Sequence, residues 1–152
     1  MGNDRKDTYQ RTNNVIRFKL HFAAPPEKVY EALNTDEGRR GYWAESADEH
    51  DGKIHYVFLN GIEDTGAILE RVEGKRFSAR YFGWKTTFNL SKDGSTGTDM
   101  EMVAEGIDEA EKMEISAGWV SWLMAMKASV DFGVDLRNHD PNRTWFDGYV
   151  DN

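Results

Sequence analysis

Hydrophobic and polar positions begin to alternate at residue 15. Ile16, Phe18, Leu20 and Phe22 fall on one side of a two-residue period, and Arg17, Lys19 and His21 on the other. That pattern predicts a half-buried strand over 15–23. Pro25 and Pro26 stop it and open a helix, because a proline in the first helical turn removes only an N–H that has no partner there. Val29, Tyr30 and Leu33 form that helix's apolar face. Asn34-Thr35-Asp36 ends it and caps a second, shorter helix from Glu37 to about Trp43. A polar turn is expected over 48–52. Ile54, Tyr56 and Phe58 then alternate up to a turn at Asn60-Gly61. Gly66, Ile68, Glu70 and Val72 share one face of the next strand. Gly74-Lys75 leads into a strand over 76–82, which Gly83 breaks. Thr86, Phe88 and Leu90 alternate up to the hairpin signal Lys92-Asp93-Gly94-Ser95. Thr98, Met100, Met102 and Ala104 define the last strand. The final helix opens near Asp108 or Ser116. Its stripe is Trp119, Leu123, Met126, Lys127 and Val130, widened by Trp122 and Phe132, and Gly133 weakens or ends it.

Strands following one another through short turns pair antiparallel, so the order predicts an α+β domain over 15–136. It is a curved antiparallel sheet against one long C-terminal helix, with two short helices after the first strand. Residues 1–14 carry few apolar side chains and are expected to be a flexible tail. The extension over 137–152 holds Trp145, Phe146, Tyr149 and Val150. That is too apolar for a free end, so it is expected to dock on its own domain or on a second copy.

Composition narrows the function more than the fold. A chain of 152 residues is one domain. Its net charge of -8 repels phosphate backbones and argues against nucleic acid. No apolar run approaches the ~20 residues of a membrane span, and the first residues lack the apolar core of a signal peptide. A cytoplasmic location without membrane contact is the expectation. With no cysteine there is neither a disulfide nor a thiolate ligand or nucleophile. His21, His50, His55 and His139 show no metal-binding spacing, and no glycine-rich phosphate loop or Gly-x-Ser-x-Gly elbow is present. No metal, cofactor or catalytic motif is therefore expected. Aromatic residues make up 12%, with five tryptophans and six methionines. Such side chains suit a core that is partly a ligand cavity.

The stretch Phe22-Ala23-Ala24-Pro25-Pro26-Glu27-Lys28-Val29-Tyr30-Glu31-Ala32-Leu33 resembles the opening of START-like (SRPBCC) proteins. Trp43, Gly66-Ala67-Ile68-Leu69-Glu70, Thr86-Thr87-Phe88-Asn89-Leu90, Gly97-Thr98 and Gly118-Trp119 follow in that family's order. The most similar branch is the one named after the activator of the heat-shock-protein-ninety ATPase. Two features depart from it: Val72-Glu73-Gly74 stands where a proline is common, and the chain continues past the last helix. The resemblance implies a helix-grip fold with a cavity between sheet and helix. A small hydrophobic or amphipathic ligand is the expected partner. Trp43, Tyr56, Phe58, Ile68, Tyr81, Trp84, Phe88, Met100, Met102, Trp119, Leu123 and Met126 are its expected lining. Two alternatives stand beside binding. A cyclase- or hydrolase-type enzyme would place Glu70, Arg80 and His55 in or at the rim of the cavity. A co-chaperone-like module, or a homodimer, would use an outer surface.

Overall fold

The computed structural model describes residues 14–94 and 96–152. The tail expected over 1–14 lies, Asn14 apart, outside the described residues. The alternation at the start forms β1 (Val15–Phe22), and the prolines open α1 (Pro26–Asn34). Thr35 caps α2 (Asp36–Arg40), its hydroxyl accepting from the Gly38 N–H at 3.0 Å. Six strands follow: β2 (Ser46–His50), β3 (Lys53–Val57), β4 (Glu63–Val72), β5 (Arg76–Tyr81), β6 (Trp84–Asp93) and β7 (Gly97–Glu105). They form one antiparallel sheet in the order β1-β7-β6-β5-β4-β3-β2. A 3-10 turn (Glu109–Glu111), capped by Asp108, leads into α3 (Lys112–Phe132). Gly133 ends α3 with φ 64, a left-handed conformation that costs glycine little.

Register carries the core. Phe18 pairs with Met102, Met102 with Phe88, and Phe88 with Phe77, so one apolar row crosses four strands. α3 lays Trp119, Trp122, Leu123, Met126 and Val130 on that face, and all five are buried. Near its end the Asp131 carboxylate accepts the backbone N–H groups of Ala23 and Ala24 at 2.9 and 3.1 Å and takes an ion pair from Lys127. The helix is thereby fixed to the end of β1. Ser116 lies inside α3 rather than at its start.

Three elements differ from the sequence expectation. The polar turn at 48–52 is largely β2, an edge strand in which only Ala47 is buried; the turn itself is Asp51-Gly52. Its backbone pairing with β3 makes it a strand although its side chains read as a loop. α2 stops at Arg40, short of Trp43. Its Arg39 is fully buried, donating to Leu33 O at 3.0 Å and Ala47 O at 2.8 Å and pairing with Asp36. That side chain ties α1, α2 and β2 together. Finally, a bulge between Ile68 and Glu70 breaks the alternation of β4. Just before it, a Cβ on Gly66 would stand 1.9 Å from the Arg80 carbonyl oxygen, so β4 and β5 approach there only with glycine.

Candidate functional site

The middle of the grip is full. Tyr56, Phe88, Met100, Met102, Leu123 and Met126 are each at most 4% exposed. An open cleft of about 840 Å³ lies at one end of the molecule. Phe58 and Ile62 come to it from the β3–β4 loop, and Tyr81, Phe82 and Trp84 from the β5–β6 turn. The first half of α3 gives Ile115, Gly118, Trp119 and Trp122, and Trp43 stands behind them. The tail closes the outer side with Leu136, Trp145, Phe146 and Val150. All five tryptophans of the chain border this cleft.

The rings form one continuous system. Trp43 meets Trp122 edge to face at 4.9 Å, and Trp119 meets Trp122 at 5.0 Å. Tyr81 joins Trp84 and Trp119. The indole N–H groups of Trp43, Trp119 and Trp122 are buried without a normal hydrogen bond among the described residues. Such edge-to-face packing sets positive ring edges on negative ring faces. Burial pushes the phenols of Tyr42, Tyr56 and Tyr81 up, so all three are neutral. Phe82 adopts φ 52, a costly conformation for a bulky side chain. The Asp64 carboxylate holds its N–H at 2.7 Å, and its ring stacks on Phe58 at the mouth, 39% exposed.

The extension folds back over its own domain. Arg137 donates to Ala44 O at 2.7 Å and Arg40 O at 2.8 Å. His139 sits between two carboxylates, Glu45 and Asp135, each at 2.7 Å. The Trp145 indole donates to Glu114 at 3.3 Å, and the Ser121 hydroxyl donates to Val150 O. Hydrogen bonds from Asp135 and then Glu45 raise the His139 pKa against the opposing effect of burial. Burial pushes Asp135 up, but the bonds from Arg137 and His139 outweigh it and hold the carboxyl down at about 2. The signs follow by linkage. The His139 contribution is fully present below its ordinary pKa of 6.5 and is lost as pH rises through the raised value. The Asp135 contribution is present above the ordinary carboxylate value of 3.8 and is lost as pH falls through about 2. We expect the His139 ring protons to titrate in NMR above 6.5, and amide protection over 144–150 to fall along the same curve. A midpoint at or below that value would contradict the bridge.

Of the twelve expected lining residues, Trp43, Phe58, Tyr81, Trp84 and Trp119 border the cleft. Tyr56, Phe88, Met100, Met102, Leu123 and Met126 are sealed core, and Ile68 is half-buried against that core. Alternation identifies a strand's inner face, but not how far along it the helix settles. Glu70, Arg80 and His55 lie on exposed faces, and none borders the cleft. Glu70 pairs with Arg76 at 2.8 Å, because the bulge sets it opposite Ser78 on the outer face instead of opposite the buried Phe77. Arg80 donates to Gly83 O, and His55 bonds Thr65 and Glu63. Sequence reasoning missed Phe82, Trp122, Glu45 and Glu114 as cleft residues. A bulky residue before the glycine of a tight turn was the available signal for Phe82. His21 also meets Asp93 and Asp99 on the surface, at 3.8 and 3.0 Å, all three exposed. They come from separate strand ends, so no spacing showed them.

A seven-stranded antiparallel sheet gripping a C-terminal helix, with an aromatic cleft at one end, defines a START-like helix-grip protein. The family model described as activator of Hsp90 ATPase homolog 1-like protein matches residues 23–131, and the chain belongs to that family. Among solved structures, a Chromobacterium violaceum protein is 31% identical, covering 78% of this chain and 98% of its own, with a TM-score of 0.62. The Aha1 dimer from Colwellia psychrerythraea is 20% identical over 78% of this chain and 97% of that one, at 0.70. A Staphylococcus saprophyticus protein is 21% identical over 81% and 96%, at 0.69. No curated protein matches the chain. Among the described residues, no helix is long and apolar enough to cross a membrane.

Proposed function

We propose that the protein binds a small hydrophobic or amphipathic molecule in this cleft, rather than in the filled space between sheet and helix. The observation that carries the reading is the cleft itself. Its volume of about 840 Å³ falls within the ~300–1,000 Å³ of small-molecule sites. Aromatic rings form its walls, and a strained phenylalanine stands at its mouth. Among the described residues, the charged groups bordering it are Glu45, Glu114, Asp151 and Arg137, each already held by a neighbour. That arrangement favours binding over acid–base catalysis. A homodimer or chaperone contact has less support. The Colwellia relative is described as a dimer, and a similar contact here would use exposed side chains outside the cleft such as Met113, Phe132 and Val134.

Gly118 offers the test. It stands inside α3, where glycine is about 1 kcal/mol worse than alanine. A Cβ there would meet only the Trp145 ring, at 4.0 Å. Gly118→Ala is therefore expected to raise stability by about 0.5–1 kcal/mol. Gly118→Phe is expected to fill the cleft without unfolding the domain. The neutral fluorophore N-phenyl-1-naphthylamine should bind the wild type and Gly118→Ala saturably and fail to bind a folded Gly118→Phe. Equal binding to all three would count against the cleft.

A further inference from the structure

We propose that the cleft selects hydrophobic organic cations, amines or quaternary ammonium compounds with an apolar body, over anionic amphiphiles of the same shape. This rests on the binding reading above and adds the charge of the ligand's head.

Among the described residues, three carboxylates border the cleft, Glu45, Glu114 and Asp151, against one cation, Arg137, and no lysine or histidine borders it. The guanidinium of Arg137 is committed: its side chain is 7% exposed, and it donates to two carbonyl oxygens and to Asp135. It is not available to a ligand anion. Glu45 is bridged by His139. The other two carboxylates have weak, uncharged partners. Glu114 accepts the Trp145 indole N–H at 3.3 Å, and Asp151 accepts the Asn138 side-chain amide at 3.0 Å. Neither forms an ion pair among the described residues, and both are exposed at the rim.

The walls carry the same sign. An aromatic face is the negative part of a ring's quadrupole, and it attracts ammonium groups most strongly when the ring is indole. Trp84 borders the cleft from β6 and Trp145 from the tail, both half-buried, while Trp119 on α3 lies buried behind them. A cleft with low-dielectric walls focuses the field of its rim charges. A fatty carboxylate entering it would lose hydration and find no free cation. An ammonium would keep its rim attraction and gain ring faces.

Decyltrimethylammonium, decanol and decanoate share one chain and differ in the head. Titrated below their aggregation thresholds at neutral pH and low salt, and followed by tryptophan fluorescence, they are expected to bind in that order. The cation should exceed the carboxylate by about tenfold, and added salt should reduce the gap. Glu114→Gln with Asp151→Asn should narrow the gap. Glu27→Gln with Glu31→Gln makes the same change in net charge on α1, away from the cleft, and should leave it unchanged. Decanol matching the ammonium, decanoate binding tighter, or the α1 pair narrowing the gap equally would overturn the proposal while leaving binding intact. Failure of all three chains to bind would overturn both.

Discussion

Replacing Arg39 with leucine is expected to lower the unfolding free energy by about 3–5 kcal/mol. Arg39 is wholly buried yet charged, and each of its three nitrogens donates a hydrogen bond inside the protein. Leucine would leave the carbonyls of Leu33 and Ala47 without those donors. It would also leave Asp36 without its cation, although that carboxylate still accepts the Glu49 N–H at 2.9 Å. Losing buried partners costs their full desolvation, well above the ~1 kcal/mol net worth of a hydrogen bond. Because Arg39 joins α1 and α2 to the edge strand β2, hydrogen exchange should quicken first along β2. Urea denaturation measures the total. A loss under about 1 kcal/mol would mean that water replaces the arginine at no real cost.

Trp43→Ala should be similarly severe, about 3–5 kcal/mol. The indole is 3% exposed and contacts five other rings: Tyr42, Tyr56, Tyr81, Phe88 and Trp122. Its neighbours come from β3, β5, β6, α3 and the loop after α2, so they cannot collapse together into the vacated space. The void would join the cleft and deepen it toward the core. A folded Trp43→Ala protein is therefore expected to be less stable but to accept a bulkier ligand than the wild type. Thermal melts with and without a neutral aromatic compound separate the two effects. A stability loss with no gain for bulkier compounds would mean that the core closes around the gap.

The architecture was legible because each strand signal is local. Ile16 to Phe22, Thr86 to Leu90 and Thr98 to Ala104 all declare their inner face by alternation, and Pro25-Pro26 and Gly133 mark helix ends by backbone chemistry. What failed was anything that depended on a partner. β2 reads as a loop because four of its five side chains are polar; only pairing with β3 makes it a strand. Glu70 lies on the outer face because a one-residue bulge shifts its register. The cleft was half legible. Trp43, Trp84 and Trp119 are expected in the lining and do border the cleft. Met100, Met102 and Met126 carry the same apolar signal but lie deeper in the grip. Trp145 and Phe146 read as a tail that needed cover; that they would build a wall depended on where Arg137 and His139 attach the chain.

The most direct test of the binding site uses the tryptophans themselves. All five border the cleft, so their indole N–H signals in a nitrogen-15 correlation spectrum report on it. Titration with N-phenyl-1-naphthylamine is expected to shift those signals along one saturable curve, together with the backbone amides of Phe82 and Gly118. The amides of β1 and α1, which lie away from the cleft, should stay in place. Indole signals that do not move at saturating probe, or shifts concentrated on β1 and α1 instead, would contradict the account.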